Sequence, residues 1–271
     1  MPADREAFCA PEETLDTLFH GKIRVIQKKS GYRFSVDAVI LAHFPNYKDK
    51  DIVVDIGCGC GVIPLIIAYR RPQVRLFGLE LQKELFDLSR RNVIANGLED
   101  RITIQQGDLR NPEGIFFAPV KDTPGRANLP EARPAAYADW VVSNPPYGRS
   151  SSGHLNPKEE KALARHEIAA SLSDVLRAAR YFLKPRGRAA IIYPARRAAG
   201  LISAMREMGL EPKRLQVVYS HPGDEGRFVL VEAVKDGGEE LKILPPFFIY
   251  DQYRRYSPEM QRLYKDRAVK G

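Results

Sequence analysis

The 271-residue sequence has no apolar run that approaches the roughly 18 residues of a membrane span. Its first residues, Met1-Pro-Ala-Asp-Arg-Glu, lack the apolar centre of a secretory signal peptide. Only three cysteines are present, and Cys58 and Cys60 have no matching His or Cys cluster elsewhere. These absences predict a cytoplasmic protein with no disulfide framework, no membrane anchor and no metal site.

Charge and composition are the next features. Lys and Arg number 42 against 34 Asp and Glu, which gives a net charge of +8. A basic surplus favours a polyanionic partner, although many basic proteins merely have a solvated basic face. The length and the 44% hydrophobic content indicate a domain that can bury a full core.

A glycine-rich stretch begins at Ile52 and reads Ile-Val-Val-Asp-Ile-Gly-Cys-Gly-Cys-Gly-Val-Ile-Pro. It predicts a strand that carries Asp55 near its end and opens into three glycines, Gly57, Gly59 and Gly61. Glycines let the backbone turn tightly and approach a ligand. The spacing Gly-x-Gly-x-Gly differs from the Gly-x-Gly-x-x-Gly of dinucleotide enzymes, because residue 62 is Val, and this argues against NAD.

Two more acidic residues follow predicted strands. Glu80 ends the strand Val74–Leu79, where a carboxylate can accept hydrogen bonds from two ribose hydroxyls. Asp108 follows the strand Ile102–Gln105 and can accept from an adenine amino group. Any one of these acids alone can be a surface charge. Because open α/β sheets bind ligands at the carboxyl ends of their strands, we expect Asp55, Glu80 and Asp108 to share one site.

The stretch Asp139–Gly148 reads Asp-Trp-Val-Val-Ser-Asn-Pro-Pro-Tyr-Gly. Its apolar run predicts a buried parallel strand that ends at Asn144, since two prolines cannot continue a ladder. Pro145 and Pro146 fix φ, so carbonyls beside the Asn144 side chain can accept the two hydrogens of an exocyclic amino group. Tyr147 offers a flat ring for stacking on a base or amide. The alternative is an ordinary strand-terminating turn.

Upstream of the glycines, Ser35 can cap a helix with Asp37 in its first turn, where a carboxylate is favoured and can face a cation. We expect residues 1–20 to be a loosely tied lead-in, and residues 1–50 to end in a helix that covers the cofactor. Residues 51–236 are the predicted core, and residues 237–271 are a basic aromatic tail. Further predicted elements are a helix over Ser173–Leu183, a strand over Ala189–Tyr193, and an antiparallel pair over Lys213–Tyr219 and Phe228–Val234.

Four motifs together resemble the successive motifs of class I S-adenosylmethionine-dependent methyltransferases: Asp55-Ile-Gly-Cys-Gly-Cys-Gly, Glu80, Gly107-Asp108 and Asn144-Pro-Pro-Tyr. The last resembles the acceptor motif of amino methyltransferases that modify adenine N6, cytosine N4, guanine N2 or the glutamine amide. Other segments are similar to the bacterial tRNA1(Val) adenine-N6 methyltransferase family: Tyr32-Arg-Phe-Ser-Val-Asp-Ala, Asn156 through Ala164-Arg-His-Glu167, Tyr193-Pro-Ala-Arg-Arg197 and Leu244-Pro-Pro-Phe-Phe-Ile-Tyr-Asp251. The resemblance spans about residues 22–251. The segment Ala164-Arg-His-Glu167 is the one that narrows the resemblance from the methyltransferase superfamily to this family.

The resemblance implies an α/β fold with a doubly wound, mostly parallel seven-stranded sheet, Rossmann-like, with one antiparallel strand. It implies S-adenosyl-L-methionine as cofactor, bound by Asp37, Asp55, Gly57, Gly59, Gly61, Glu80, Asp108 and Asn144. The implied catalytic residues are Asn144, Pro145, Pro146 and Tyr147. The implied reaction is methyl transfer to adenine N6 in tRNA, in valine tRNA next to the anticodon.

Three alternatives stay open: a protein glutamine-N5 methyltransferase, another RNA amino methyltransferase, and a catalytically silent RNA-binding protein. Glutamine-modifying enzymes resemble a core with a separate N-terminal recognition domain, and only about fifty residues precede Asp55 here. No protein partner is predicted.

The expected RNA contacts are Lys28, Lys29, Arg149, Lys158, Lys161 and the tail. In the tail, four tyrosines interleave with basic residues. This composition is typical of segments that bind single-stranded RNA, but it also fits a frayed basic terminus. We expect truncation after Asp251 to weaken RNA binding without altering cofactor binding. The segment 118–136, rich in Pro, Ala and charge, is read as a loop insertion.

Overall fold

The computed structural model describes residues 9–30, 33–115, 135–145 and 170–265. Its elements in chain order are β1 (Glu13–Leu18), β2 (Ile23–Lys28), α1 (Val36–His43), β3 (Ile52–Ile56), α2 (Val62–Arg70), β4 (Arg75–Glu80), α3 (Lys83–Ala95), β5 (Ile102–Gln106), β6 (Ala138–Ser143), α4 (Leu172–Phe182), β7 (Leu183–Pro194), α5 (Ala198–Glu207), β8 (Leu210–Tyr219), β9 (Gly226–Lys235), β10 (Lys242–Ile243), β11 (Phe247–Phe248) and α6 (Pro258–Lys265). Within these ranges, no helix combines the length and the apolar character that crossing a bilayer requires.

Seven strands form the central sheet in the order β8-β9-β7-β6-β3-β4-β5, and the short strands β10 and β11 pair with β8. The pairs β3–β4, β4–β5, β3–β6 and β6–β7 are parallel, whereas β9 runs antiparallel to both β7 and β8. The predicted doubly wound, mostly parallel sheet with one antiparallel strand is therefore confirmed. The carboxyl ends of β3, β4, β5 and β6 lie at one edge, here called the catalytic edge.

Both faces of the sheet are covered, and successive residues of each strand alternate between them. In β3, Val53 packs into the cluster that contains α1, α2, α3 and α6, while Val54 packs into the cluster that contains α4 and α5. This is why the strands read as continuous apolar runs rather than as alternating ones. The core holds the strand ends, and thus the site residues, in fixed relative positions.

The expectation of a loose lead-in is wrong for the described part of residues 1–20. β1 and β2 form an antiparallel hairpin that lies on α3. The buried Asn92 side chain accepts a hydrogen bond from the Ile26 N–H at 2.6 Å and donates to the Ile26 carbonyl at 3.0 Å. Arg91 forms a two-bonded ion pair with Glu13, and its hydrogen bonds hold the pKa of Glu13 below the usual range.

The C-terminal segment is also folded as far as it is described. β10 and β11 extend the sheet along β8, and α6 packs against α1 through the fully buried Met260. Ser257 donates to the Phe248 carbonyl at 2.6 Å and accepts from the Met260 N–H at 3.0 Å. A frayed tail is therefore the wrong description of residues 251–265.

Two strands begin three or more residues before the sequence expectations. β7 begins at Leu183 rather than at Ala189, so Lys184-Pro-Arg-Gly belongs to the strand and does not merely end a helix. Its register against β6 shifts between Ala138 and Trp140, and this irregularity accommodates the proline and glycine. β8 begins at Leu210, three residues before the predicted Lys213.

Candidate active site

The glycine loop after β3 has the predicted tight turn. Gly57, Gly59 and Gly61 have φ values of 74°, 56° and 81°, in the left-handed region that favours glycine. The N–H groups of Gly57 and Cys58 both donate to the Leu79 carbonyl at the end of β4, at 2.8 and 3.0 Å. A Cβ at Gly57 would meet no atom within 4 Å, so open space adjoins the loop at this point.

Glu80 ends β4 and is oriented by the glycine loop. It is 5% exposed, its Oε2 accepts from the Gly59 N–H at 2.9 Å, and its Oε1 accepts from the Gln82 N–H at 2.9 Å. A carboxylate oxygen can accept more than one hydrogen bond, so a carboxylate held in this orientation can accept from two ribose hydroxyls. The ribose-binding role of Glu80 stays a prediction that this geometry fits.

Asp55 lies near the end of β3 and is 1% exposed. Among the described residues, neither of its carboxylate oxygens has a hydrogen-bond partner. Burial, together with the nearby charge of Glu80, raises the pKa of Asp55 well above its ordinary value. Buried polar groups without partners are rare, and perturbed acids cluster at functional sites. A ligand that brings hydrogen-bond donors or positive charge would satisfy this carboxylate.

Asn144 follows β6 and contacts a helix 107 residues earlier in the chain. Its Nδ2 donates to Asp37 Oδ2 at 3.0 Å, which directs the amide nitrogen towards α1 and fixes the orientation of the amide carbonyl. Asp37 is 6% exposed, and its Oδ1 accepts from the Ala38 N–H and from the Ser35 hydroxyl. Ser35 lies at the N-cap of α1, but its hydroxyl bonds to Asp37 and caps no helix N–H.

This contact gives Asp37 a role that the sequence did not indicate. Asp37 was predicted to bind cofactor, and that role stays a prediction, but its carboxylate also orients the side chain of Asn144, the predicted acceptor. Ser143 adds a second support, because its buried hydroxyl donates to the Ile56 carbonyl at 2.8 Å and ties the end of β6 to the end of β3. Pro145 is buried, whereas Pro146 and Tyr147 lie outside the described residues.

Asp108 follows β5 and pairs with Arg110. The guanidinium donates to both carboxylate oxygens, with the shortest contact at 2.6 Å, and these bonds lower the pKa of Asp108. The Asp108 side chain is 24% exposed, more than the nearly buried residues Asp55 and Glu80. An adenine amino group must therefore share this carboxylate with Arg110 or displace it, and the predicted adenine contact of Asp108 stays a prediction.

The two cysteines of the glycine loop are structural. Cys58 and Cys60 are free thiols that are buried, and burial raises the pKa of Cys60 to about 12. Both therefore stay protonated at neutral pH, and a buried thiol in this state is inert.

The comparisons with known proteins agree with this geometry. A family model described as the methyltransferase small domain matches residues 35–116. The tRNA1(Val) (adenine(37)-N6)-methyltransferase of Porphyromonas gingivalis is 31% identical over 212 residues, which are 78% of this chain and 76% of that protein. The chain belongs to this methyltransferase family. A protein of the same name from Tolumonas auensis is 24% identical over 88% of this chain and 90% of its own length.

Solved structures share the fold. A structure described as a predicted O-methyltransferase from Agrobacterium tumefaciens superimposes with a TM-score of 0.63, at 20% identity, over 86% of this chain and 98% of that chain. TYW2 of Pyrococcus horikoshii, solved with MeSAdo, gives a TM-score of 0.51 at 16% identity, over 84% of this chain and 73% of its own. At these identities the likeness establishes the class I methyltransferase fold.

The enzyme is an S-adenosylmethionine-dependent N-methyltransferase. The residues at the catalytic edge fit the cofactor, because the two unpartnered oxygens of Asp55 require donors and the cofactor has an ammonium group and ribose hydroxyls. Open space beside Gly57 allows the close backbone approach expected of the glycine loop. When bound, the cofactor supplies an electrophilic methyl group.

Proposed function

We propose that the enzyme methylates the N6 amino group of an adenine in tRNA, and that this adenine is position 37 of tRNA1(Val). Relatives that carry this name match the chain over most of its length. The observation that carries the proposal is the hydrogen bond from Asn144 Nδ2 to Asp37, because it orients an amide carbonyl at the catalytic edge as an acceptor.

The proposed chemistry follows from the weakness of the amino group as a nucleophile. The N6 lone pair is delocalised into the adenine ring, so the reaction needs groups that favour the positive charge growing on this nitrogen. Asn144 Oδ1 and the Pro145 carbonyl accept hydrogen bonds from its two hydrogens. These acceptors stabilise a developing positive charge, just as the donors of an oxyanion hole stabilise a developing negative charge. Positioning provides much of the remaining acceleration. No dedicated general base is required, since the methylated amino group is strongly acidic before it loses a proton.

The remaining predicted residues have binding roles in this proposal. Tyr147 stacks on the target base after the base has rotated out of the RNA stack. The residues that bind the cofactor are Asp37, Asp55, Gly57, Gly59, Gly61, Glu80, Asp108 and Asn144. The partner is tRNA, bound through the basic surface, of which Arg149, Lys158 and Lys161 lie outside the described residues.

The test is incubation of purified enzyme with bulk tRNA and methyl-labelled S-adenosylmethionine, followed by nucleoside mass spectrometry. We expect N6-methyladenosine. Asn144→Ala should abolish this product while cofactor affinity stays nearly the same, because the other proposed cofactor contacts remain. Asn46→Ala is the matched control, because Asn46 is exposed and precedes β3 at the opposite edge of the sheet. A valine tRNA transcript with guanosine in place of adenine 37 should not be methylated.

Other outcomes distinguish the alternatives. Methylated cytosine or guanine in the tRNA would show that the enzyme is an RNA amino methyltransferase whose target base is not adenine. Label in a protein glutamine, with none in tRNA, would overturn the RNA assignment. RNA binding without any binding of labelled S-adenosylmethionine would favour a catalytically silent RNA-binding protein.

A further inference from the structure

The turn between β11 and α6 carries an exposed aromatic ring beside two exposed arginines. Tyr253 is 67% exposed, whereas most large apolar side chains of the described residues are buried. The Arg255 guanidinium lies 5.1 Å from the centre of the Tyr253 ring, and Arg254 is exposed as well. An aromatic face combined with cations is the arrangement with which proteins stack and hold single-stranded nucleic acid.

The turn is held in one conformation. Asp251 Oδ1 accepts from the N–H groups of Tyr253 and Arg255 at 2.8 and 3.0 Å, and the Asp251 N–H donates to the Arg255 carbonyl at 2.8 Å. Arg254 has a φ of 59°, a left-handed conformation that costs energy for a residue with a Cβ. A turn fixed in this way presents its side chains with little ordering cost on binding.

A column of stacked rings lies next to this turn. His221 and Tyr250 have ring centres 5.2 Å apart, Tyr250 and Tyr256 5.5 Å, and Tyr256 and Tyr264 5.6 Å, with interplanar angles of 26°, 14° and 19°. Tyr250 and Tyr256 also bridge the two arms of the turn. The column anchors both arms, so the exposed Tyr253 projects from a rigid base.

The turn lies at the same edge of the sheet as Asn144. The N–H of Tyr250 donates to the carbonyl of Ser220, immediately after β8. β8 runs parallel to β6, because β9 is antiparallel to both β7 and β8 and β7 is parallel to β6. Four strand spacings of about 4.8 Å separate β6 from β11, the strand that leads into the turn, which is roughly 19 Å along this edge. That span suits nucleotides close to the target rather than the target itself.

We propose that Tyr253, with Arg254 and Arg255, is a stacking platform for an unpaired nucleotide that flanks the target adenine. This inference rests on the proposed tRNA substrate and adds where the enzyme binds the RNA loop. Tyr253 supplies the face on which a base stacks, and the two arginines neutralise adjacent phosphates.

The test uses the full-length enzyme and an RNA hairpin with the anticodon stem-loop sequence of a valine tRNA, with affinity measured by filter binding. Tyr253→Ala should weaken binding about 5- to 150-fold, the range for loss of one stacked base. Tyr253→Phe keeps the ring and should retain the affinity. Ile243→Ala is the matched control, because Ile243 is 73% exposed and lies on β10 away from this edge.

Three further measurements identify the cause of any change. The salt dependence of binding should keep its slope in Tyr253→Ala but become shallower in Arg254→Gln and Arg255→Gln, because only the arginines release counterions. Cofactor affinity and melting temperature should stay at the unmodified values in Tyr253→Ala.

The proposal is overturned if Tyr253→Ala binds the hairpin as tightly as the unmodified enzyme, or if Ile243→Ala weakens binding equally. Failure of the proposed function is recognised separately, as absence of N6-methyladenosine in tRNA with the unmodified enzyme. The two failures are distinguishable because hairpin affinity and methyl transfer are measured independently.

Discussion

Replacing Asp55 by Asn should stabilise the cofactor-free enzyme at neutral pH and weaken its binding of S-adenosylmethionine. The Asp55 carboxylate is 1% exposed, has no hydrogen-bond partner among the described residues, and lies near the charge of Glu80. An ionised group in such a position destabilises the folded state, whereas a neutral amide of the same shape costs less. The same charge becomes favourable when a ligand with donors occupies the site.

The size of the effect follows from the charge, because a carboxylate and an amide at this position would both lack partners. If the extra cost of the charge is taken as about 1–3 kcal/mol, the Asn variant should melt roughly 2–12 °C higher for a chain of this length. Loss of a charge-assisted bond to the cofactor should weaken cofactor binding by roughly 10- to 150-fold. The expected result is therefore that Asp55→Asn raises the melting temperature and lowers the affinity for the cofactor.

The pH dependence has a defined sign. Folding raises the pKa of Asp55, so its carboxyl is protonated in both states below the unfolded pKa of about 4 and carries no penalty there. As pH rises from there through the raised folded pKa, the unfolded state ionises first and the folded state loses relative stability. The advantage of the Asn variant should therefore be small near pH 4 and large at alkaline pH.

The assay is calorimetric melting of both proteins between pH 4 and pH 9, with cofactor titration at pH 7.5. Asp49→Asn is the control, because Asp49 is exposed and its replacement should change neither quantity. Equal melting temperatures at every pH would refute the claim that Asp55 is an uncompensated buried charge. Unchanged cofactor affinity would remove Asp55 from the cofactor site.

Two further predictions follow from other contacts at the catalytic edge, and a third follows from the basic surface. Glu80→Ala should weaken cofactor binding by about 1.5–3 kcal/mol per lost bond in titration calorimetry, and should also lower the melting temperature because the Gly59 N–H loses its acceptor. Asp37→Ala should lower the rate constant of methyl transfer about 10- to 100-fold in single-turnover assays, since Asn144 loses its orienting bond. An unchanged rate constant would reject this positioning role. The log of tRNA affinity should fall linearly with log salt in filter binding, and a flat profile would count against RNA as the partner.

The parts of the fold that were predictable are those encoded over a few residues. The apolar run before Gly57 indicates a buried strand, and the glycine spacing indicates a tight turn, because both depend on neighbouring residues alone. The same holds for the ends of the strands that precede Glu80 and Asn144. Once parallel strands were inferred, their carboxyl ends had to lie at one edge, so the shared location of Asp55, Glu80 and Asn144 followed from topology.

The parts that could not be predicted depend on partners far apart in the chain. Asn92 reads as an ordinary helix residue, yet its buried amide holds the hairpin through Ile26, 66 residues away. The carboxylate of Asp37 reads as a favourable first-turn charge, and nothing nearby in the sequence indicates that it bonds to Asn144. Such bonds are set by tertiary packing, for which local periodicity carries no signal.

Helix α1 explains why the C-terminal segment and Asn144 cannot be treated separately. Met260 buries α6 against the side of the sheet that α1 occupies, and α1 carries Asp37, which orients Asn144. Truncation after Asp251 would remove α6 and expose this packing, so the expectation that it leaves cofactor binding unaltered no longer has a structural basis. Loss of RNA binding in a truncated protein would mix a damaged active site with a lost RNA contact. A substitution at the exposed Tyr253 leaves α6 in place, so it tests the RNA contact alone.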